Sequence, residues 1–231
     1  MSSSIVGRAA VAAIAIFLGT LGAAGYRMFL QSPAPLADEA PLPGVMVHSS
    51  AQSVPAFALL DGRGVPFSEN DLRGQWTIVA FGYTQCPDFC PTTLADMARF
   101  FDRLVNVGGT PDTRFAFIST DPFRDTPQHL SSYVSYFSKD FLALTGEPRE
   151  LHRLLDWLGM PHGYGDPRTG LAVGDLLHSP ATDDYVVDHY SGLLVIDPAA
   201  RLVASILPPF DTERMDQAYS AIRKLHEVGV K

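Results

Sequence analysis

Short apolar runs alternate with helically spaced segments over most of the chain from about Val54 onward. Two of these runs, WTIVAF at Trp76–Phe81 and RFAFIS at Arg114–Ser119, are short and continuous, which is typical of buried central strands. Between them, Pro91–Val105 carries apolar residues at helical spacing. The pattern therefore predicts a strand–helix–strand unit at the centre of an α/β domain.

Further elements are predicted on both sides of this unit. Ala56–Leu60 and Val65–Phe67 flank the turn Asp61-Gly62-Arg63-Gly64 and predict a β-hairpin. Helices are predicted from Asp125-Thr126-Pro127 onward, over Glu147–Leu158 and over Thr212–Val228, and strands over Tyr185–Val187, Leu193–Ile196 and Leu202–Ile206. A βαβ unit followed by a β-hairpin and a last helix is the thioredoxin-like arrangement, here with an N-terminal hairpin and a helix-loop insertion.

Residues 1–30 differ in character from the rest. Ala9–Gly25 is an uncharged stretch bracketed by Arg8 and Arg27, near the short end of the roughly 17–25 residues that cross a hydrocarbon core. We predict a single uncleaved transmembrane helix, with a cleavable signal peptide as the alternative. In both cases the residues after this segment are exported from the cytoplasm. With the uncleaved helix, the expected location is the bacterial inner membrane with the C-terminal domain in the periplasm.

A spacer rich in proline and alanine follows this segment. Residues 31–50 predict an extended linker, and residues 51–231 then form the folded domain. A chain of 231 residues with 46% hydrophobic content suffices for one well-buried domain. Its formal net charge of -8 supplies no basic surface for phosphates, so nucleic acid is not expected as a partner.

The chain has two cysteines, and both lie in FGYTQCPDFCPTTL, between the first central strand and its helix. A helix N-terminus favours thiolate over thiol through its free N–H groups and its dipole. Three residues separate Cys86 from Cys90, so in a helical turn both sulfurs share one face and can bind a soft ion or close a disulfide. A structural disulfide or a pair of buried free thiols is one alternative. A peroxidase is another, since Thr84 precedes Cys86 suitably, although Gly82-Tyr83 replaces the usual proline.

Two thiolates leave a copper or zinc site incomplete, and histidine is the commonest completing ligand. The seven candidates are His48 in the spacer, His129 and His152 in predicted helices, His162 and His178 in the insertion, His189, and His226 in the last helix. His189 ends the apolar run YVVDH beside a turn. Position alone does not select it, because a lone histidine is more often structural.

Three motifs resemble the Sco/SenC family of copper-handling thioredoxin-fold proteins: GYTQCPDFCPTTL, STDPFRDTP and YVVDH, in that order. The resemblance runs from about Val54 to the C-terminus and implies that Cys86, Cys90 and His189 bind one copper ion per domain. Thiolates suit Cu(I), and the imidazole helps to accommodate Cu(II).

Two features depart from the family pattern, namely Tyr190, where relatives commonly carry a small hydroxyl residue, and the long segment Gly163–Ser179. Asp188 and Asp121 accompany the motifs. Each is expected either to orient a ligand, to form an acidic rim that faces a partner, or to cap a turn.

The resemblance implies a copper metallochaperone that delivers copper to the copper A centre of cytochrome c oxidase, with the subunit that holds this centre as partner. Another periplasmic copper chaperone would be the donor. Such a carrier is not an enzyme. The alternative is a thiol–disulfide oxidoreductase that reduces the cysteine ligands of that centre, with Cys86 and Cys90 as redox pair and His189 idle. A copper- or redox-responsive signalling module is a third reading.

Overall fold

The two continuous apolar runs form the centre of the fold. In the computed structural model, which describes residues 44–108 and 112–229, strand β4 (Trp76–Gly82) is buried at every position. Strand β5 (Thr113–Ser119) pairs with it in parallel, and helix α1 (Phe89–Gly108) makes the crossover. The predicted strand–helix–strand unit is confirmed. The loop after β4 therefore lies at the carboxyl end of a parallel pair, where α/β proteins commonly place their sites.

These strands lie inside an eight-stranded sheet of order β1-β11-β10-β4-β5-β6-β2-β3. Strand β10 (Leu193–Ile196) runs antiparallel to β4 on one side, and β6 (Leu142–Thr145) runs parallel to β5 on the other. The outer strands are β1 (Val45–Ser53), β2 (Ala58–Asp61), β3 (Pro66–Ser68) and β11 (Arg201–Ile206). The central order is the thioredoxin-like arrangement, and the added β2–β3 hairpin is confirmed.

The helices follow their local sequence signals closely. Helix α2 (Pro127–Phe137) begins after Thr126, whose side chain accepts a hydrogen bond from the His129 backbone N–H, with proline in the first turn. Helices α3 (Pro148–Trp157) and α4 (Thr212–Gly229) lie where they are predicted, and a 3₁₀ helix spans Glu69–Leu72. Aromatic contacts between α1 and α4, such as Phe100 with Tyr219 at 5.9 Å, join the helices to one hydrophobic core.

The insertion before His189 contains a small antiparallel sheet that the helix-loop prediction lacks. Its strands are β7 (Gly163–Gly165), β8 (Ala172–Gly174) and β9 (Val186–Asp188), in the order β8-β7-β9. Glycines occupy both ends of β7, so only Tyr164 carries a strand signal. The strand predicted at Tyr185–Val187 exists, shifted by one residue, and pairs with β7 in this second sheet.

The N-terminal boundary of the domain also differs from the prediction. The linker was predicted to extend to residue 50, whereas β1 begins at Val45 and pairs antiparallel with β11. This edge strand is exposed at most positions, so it lacks the apolar alternation of a half-buried strand. The predicted anchor Ala9–Gly25 and most of the linker lie outside the described residues. Within the described part, no helix combines the length and apolarity needed to cross a membrane.

Candidate metal centre

The two cysteines lie on either side of the start of helix α1. Cys86 is in the loop after β4, and Cys90 is in the first helical turn. The backbone N–H of Cys90 donates a hydrogen bond to Cys86 Sγ at 3.3 Å. Both thiols are free in the structure. The first N–H groups of a helix have no partner within the helix, so this contact gives one of them a negative or polarisable acceptor.

Gly82, the last residue of β4, allows Cys90 to close against the strand. A Cβ at this position would lie 2.5 Å from Cys90 Sγ and 2.9 Å from Cζ of Phe117, both too close for real contacts. Cys90 is consequently 1% exposed, whereas Cys86 is 9% exposed. Cys86 is the outer sulfur and Cys90 the inner one.

His189 follows strand β9 and points its ring at both sulfurs. Its Nε2 lies 3.1 Å from Cys90 Sγ and 3.9 Å from Cys86 Sγ. The rings of Tyr83 and Phe89 flank the imidazole, with centroids at 5.7 and 6.2 Å. All three donor atoms lie within 4.8 Å of one another. The donor set of two sulfurs and one nitrogen suits a soft or borderline ion, so these residues form a candidate copper site.

The two thiols differ strongly in acidity. The hydrogen bond from the Cys90 thiol, with smaller contributions from His189 and the Cys90 backbone, lowers the pKa of Cys86 to about 4 despite burial. The same hydrogen bond, together with burial, raises the pKa of Cys90 above its ordinary value. At neutral pH the metal-free site therefore holds one thiolate and one thiol, and an ion that binds both sulfurs releases the Cys90 proton.

A buried carboxylate, Asp125, anchors the cysteine loop. It accepts hydrogen bonds from the Thr84 N–H at 3.0 Å, from Thr84 Oγ1 at 2.5 Å and from Ser119 Oγ at 2.6 Å. Burial raises the pKa of Asp125, and these hydrogen bonds partly oppose that rise. Asp125 thus ties the loop to the end of β5. The N-cap of helix α2 is Thr126, so Asp125 is free for this role.

Arg124 connects the two halves of the centre. Its Nη1 donates to Gln85 Oε1 in the cysteine loop and to the carbonyl oxygens of Asp183 and Tyr185 ahead of His189, at 3.0 to 3.2 Å. The guanidinium also lies 3.5 Å from the centroid of the Tyr185 ring. Buried Asp121 accepts from Arg124 Nε at 2.5 Å and from the Tyr185 hydroxyl at 2.8 Å. A single ion pair therefore fixes the approach of the chain to His189.

These contacts decide the role of Asp121 and leave that of Asp188 open. Asp121 is fully buried, so it orients the segment before His189 and is not part of an acidic rim. Asp188 is exposed at the end of β9 and opposes Gly163 in the ladder. Tyr190 packs against the core and folds over Gly192, where a Cβ would lie 2.4 Å from its hydroxyl.

The remaining histidines do not join this group of three donors. Their contacts are His48 with Ser205, His129 with Thr84, His178 with Asp175, His226 with Asp197, and His152 and His162 with Asp156. The structure thus brings His189 to the cysteines, as the family motif implied and position alone did not.

The fold and the site together define a thioredoxin-fold protein in which two cysteines at the start of the first helix and one histidine after β9 form a candidate metal centre. The chain belongs to the SCO1/SenC family, whose model matches residues 46–226.

Known relatives agree with this assignment. A Stutzerimonas stutzeri protein provisionally described as copper-binding is 34% identical over 181 residues, which cover 77% of this chain and 80% of that protein. The chain spans about half the length of the fission-yeast and human Sco1 proteins that it also matches. The crystal structure of Arabidopsis thaliana ScoI with copper bound has 27% identity and a TM-score of 0.62, covering 75% of this chain and 98% of that one. BsSco, described as a cytochrome c oxidase assembly protein with a disulfide switch, shares the fold at 18% identity and a TM-score of 0.54, over 78% of this chain and 96% of that one.

Proposed function

We propose that this protein is a copper metallochaperone that holds copper between Cys86, Cys90 and His189 and delivers it to the copper A centre of cytochrome c oxidase. The observation that carries the proposal is the convergence of His189 Nε2 on both sulfurs, at 3.1 and 3.9 Å. The involvement of Sco proteins in copper handling and in cytochrome c oxidase assembly supports the choice of cargo and target.

The donor set suits transfer as well as binding. Thiolates prefer Cu(I), and the imidazole makes Cu(II) acceptable. Within the described residues, the group comprises three ligands. A three-ligand site leaves room for a thiolate of the acceptor to bond to the ion before a bond to one of the protein's own three ligands breaks. The cargo can then move by stepwise ligand exchange without release into solvent.

A second candidate function, reduction of the oxidase's cysteine ligands, is favoured by the contrast in thiol acidity. Cys86, with its pKa near 4, is the nucleophile, and buried Cys90 is the resolving thiol. The Cys86 thiolate would attack the substrate disulfide and release one substrate thiolate. Cys90, after losing its proton, would then displace the second thiolate and leave a Cys86–Cys90 disulfide, which a separate thiol reductant would have to reduce before the next cycle. This reaction does not need His189.

The variant His189→Ala separates the two functions. For a carrier we expect copper affinity to fall by at least about tenfold, nitrogen ligation to vanish from the Cu(II) paramagnetic resonance spectrum, and oxidase activity to be lost in cells, while the reduction potential changes little. His129→Ala is the matched control, since His129 contacts the same loop through Thr84 without being a ligand. Normal oxidase activity with His189→Ala would refute the carrier and favour the reductase.

Deletion of the gene tests the signalling alternative. Loss of oxidase activity that added copper restores is expected for a carrier. A sensor would leave the oxidase metallated at ordinary copper levels, and that result would contradict our proposal.

We also propose that Ala9–Gly25 anchors the protein in the bacterial inner membrane, with the domain in the periplasm. The support is the uncharged stretch itself and the benefit of tethering a donor near a membrane-bound acceptor. Alkaline carbonate extraction should leave the protein in the membrane pellet. Its release into the supernatant would show that the segment is a cleaved signal.

A further inference from the structure

Three metal-ligating side chains also meet outside the cysteine centre, at His152, Asp156 and His162. His152 Nδ1 lies 2.9 Å from Asp156 Oδ2, and His162 Nε2 lies 3.5 Å from Asp156 Oδ1. The two imidazole rings are 4.8 Å apart, nearly perpendicular, and one donor atom from each residue lies within 4.8 Å of the others. The carboxylate therefore lies between two ring nitrogens.

The backbone around this cluster is well fixed. His152 and Asp156 are four residues apart on α3, so they share one helix face, while Leu151, Leu154 and Leu155 bury the opposite face in the core. The helix ends at a turn in which Gly159 has a φ of +62° and the Met160 N–H donates to the Leu155 carbonyl at 3.0 Å. This reversal returns His162 to the face that carries the other two ligands.

One ring nitrogen of His162 is held by the backbone, which leaves the other available as a metal ligand. Its Nδ1 lies 2.8 Å from the Met160 carbonyl oxygen, and because a carbonyl only accepts, Nδ1 carries a proton. Nε2, the other ring nitrogen, faces Asp156 Oδ1 at 3.5 Å, so both atoms are directed at one point where an ion could bind. A carbonyl that holds the second ring nitrogen is also the usual support of a metal-bound histidine.

We propose that His152, Asp156 and His162 bind one divalent first-row transition-metal ion, at a site separate from the cysteine centre. Two imidazoles and one carboxylate suit Cu(II), Ni(II) or Zn(II) and disfavour Cu(I), which prefers sulfur. By the general order of stability, Cu(II) binds more tightly than Zn(II). The His162 side chain is 13% exposed, so the surrounding protein holds its ring in place. The Asp156 side chain is 57% exposed, so an ion can reach the site from solvent.

The site is joined to the cysteine centre by backbone pairing. Strand β7 begins directly after His162, and Gly163 opposes Asp188 in the β7–β9 ladder. His162 and His189 are thus the next residues beyond the same end of that ladder. An ion that fixes His162 would hold the strand against which the His189 segment is paired.

The test uses the full chain, purified without a histidine tag, in a Cys86→Ser/Cys90→Ser background that removes the thiolate ligands. Titration with Co(II), Zn(II) and Cu(II) should give one ion per chain. The Co(II) spectrum should contain d–d bands without sulfur charge transfer, and the Cu(II) paramagnetic resonance should show nitrogen coupling. Adding His162→Ala or Asp156→Asn should weaken binding at least about tenfold.

His48→Ala, which removes a histidine bonded to Ser205, is the matched control and should leave affinity within about twofold of the background. The proposal fails if the cysteine-free background shows no saturable binding below about 100 μM, if His162→Ala and Asp156→Asn bind as it does, or if His48→Ala weakens binding equally. Circular dichroism checks that each variant folds. Asp156→Asn conserves side-chain volume, so its metal affinity tests the proposal even if His162→Ala does not fold. Since the cysteines and His189 are not involved, failure here leaves the proposed carrier function standing.

Discussion

The cysteine half and the histidine half of the metal centre are built differently. Cys86 and Cys90 follow a strand in which every residue is buried at the middle of the main sheet. His189 follows a three-residue strand, β9, which belongs to the small second sheet. The cysteine half is thus positioned by a long strand of the main sheet. The histidine half is positioned by a short strand, by the side chains of Tyr185 and Val187, which reach the core, and by the polar contacts of Arg124 and Asp121.

This difference has a functional meaning for the proposed carrier, which would have to release its ion. A three-residue strand in a small second sheet opens at lower free-energy cost than a seven-residue strand inside the main sheet. A fixed pair of sulfurs with a more loosely supported imidazole can retain copper on two ligands while the third exchanges. For the proposed carrier we therefore expect His189 to be the first ligand to leave. The difference between the two halves of the centre can be tested by variants in each half.

The largest expected effect comes from Arg124→Met. The substitution leaves the Asp121 carboxylate buried without its charged partner, and breaking a buried ion pair in this way costs about 3–5 kcal/mol. It also frees the segment before His189 from Gln85. We expect urea unfolding to reveal this loss of stability and copper titration to reveal weaker binding. The double variant with Asp121→Asn should recover part of the stability, because the unpaired charge is gone; an unchanged Arg124→Met protein would contradict the contrast.

The second effect is on the cysteine half, through Gly82→Ala. The new methyl group would lie 2.5 Å from Cys90 Sγ, and overpacking of this kind costs about 1–3 kcal/mol. Cys90 should be displaced, which lowers both the melting temperature and the affinity for copper. Gly174→Ala is the control, since its Cβ would meet only Tyr164, at an ordinary 3.5 Å. Equal effects of the two variants would argue against close packing at Cys90.

The same contrast explains what could be predicted from sequence. The runs at Trp76–Phe81 and Arg114–Ser119 and the cysteine pair between them are set by local pattern, and their positions agree with prediction. The edge strand β1 and the glycine-flanked β7 lack a regular apolar pattern, because β1 is exposed at most positions and β7 has a single large apolar side chain, Tyr164.

The residues that position the site, such as Arg124, could not be predicted from the local sequence pattern either. Arg124 bonds to residues 39 and 59 to 61 positions away, and no periodicity encodes such contacts. His189 was chosen by resemblance to a family motif, because the position of a histidine after a short strand does not reveal which distant sulfurs it meets. The small sheet in the insertion, whose strand β9 precedes His189, could not be predicted from the sequence pattern either.

A smaller effect, confined to the histidine half, is expected for Tyr185→Phe. The change removes the hydroxyl that donates to Oδ1 of buried Asp121 at 2.8 Å, which costs about 1–3 kcal/mol for the unsatisfied carboxylate oxygen. The cost should lie at the lower end because Arg124 still binds the other oxygen, Oδ2. Nitrogen coupling from His189 in the Cu(II) spectrum should broaden, whereas the acidity of Cys86 should stay the same. Tyr136→Phe serves as control because Tyr136 is 86% exposed. A shift in Cys86 acidity without any change at His189 would reverse our assignment of Tyr185.

The last prediction concerns the titration of Cys86, for which we expect the smallest effect on stability. It is the sharpest test of the cysteine half alone. Since its pKa is lowered to about 4, the thiolate persists from neutral pH downward and its ultraviolet absorbance should disappear only as pH falls through about 4. Cys90→Ala removes the largest cause of this shift, so the midpoint should rise toward the ordinary thiol range near about 8.5. His189→Ala should raise it less, because the hydrogen bond from Cys90 remains. If His189→Ala moved the midpoint further than Cys90→Ala, the imidazole and not the second sulfur would control the thiolate, and the two halves of the centre could not be treated as separately built.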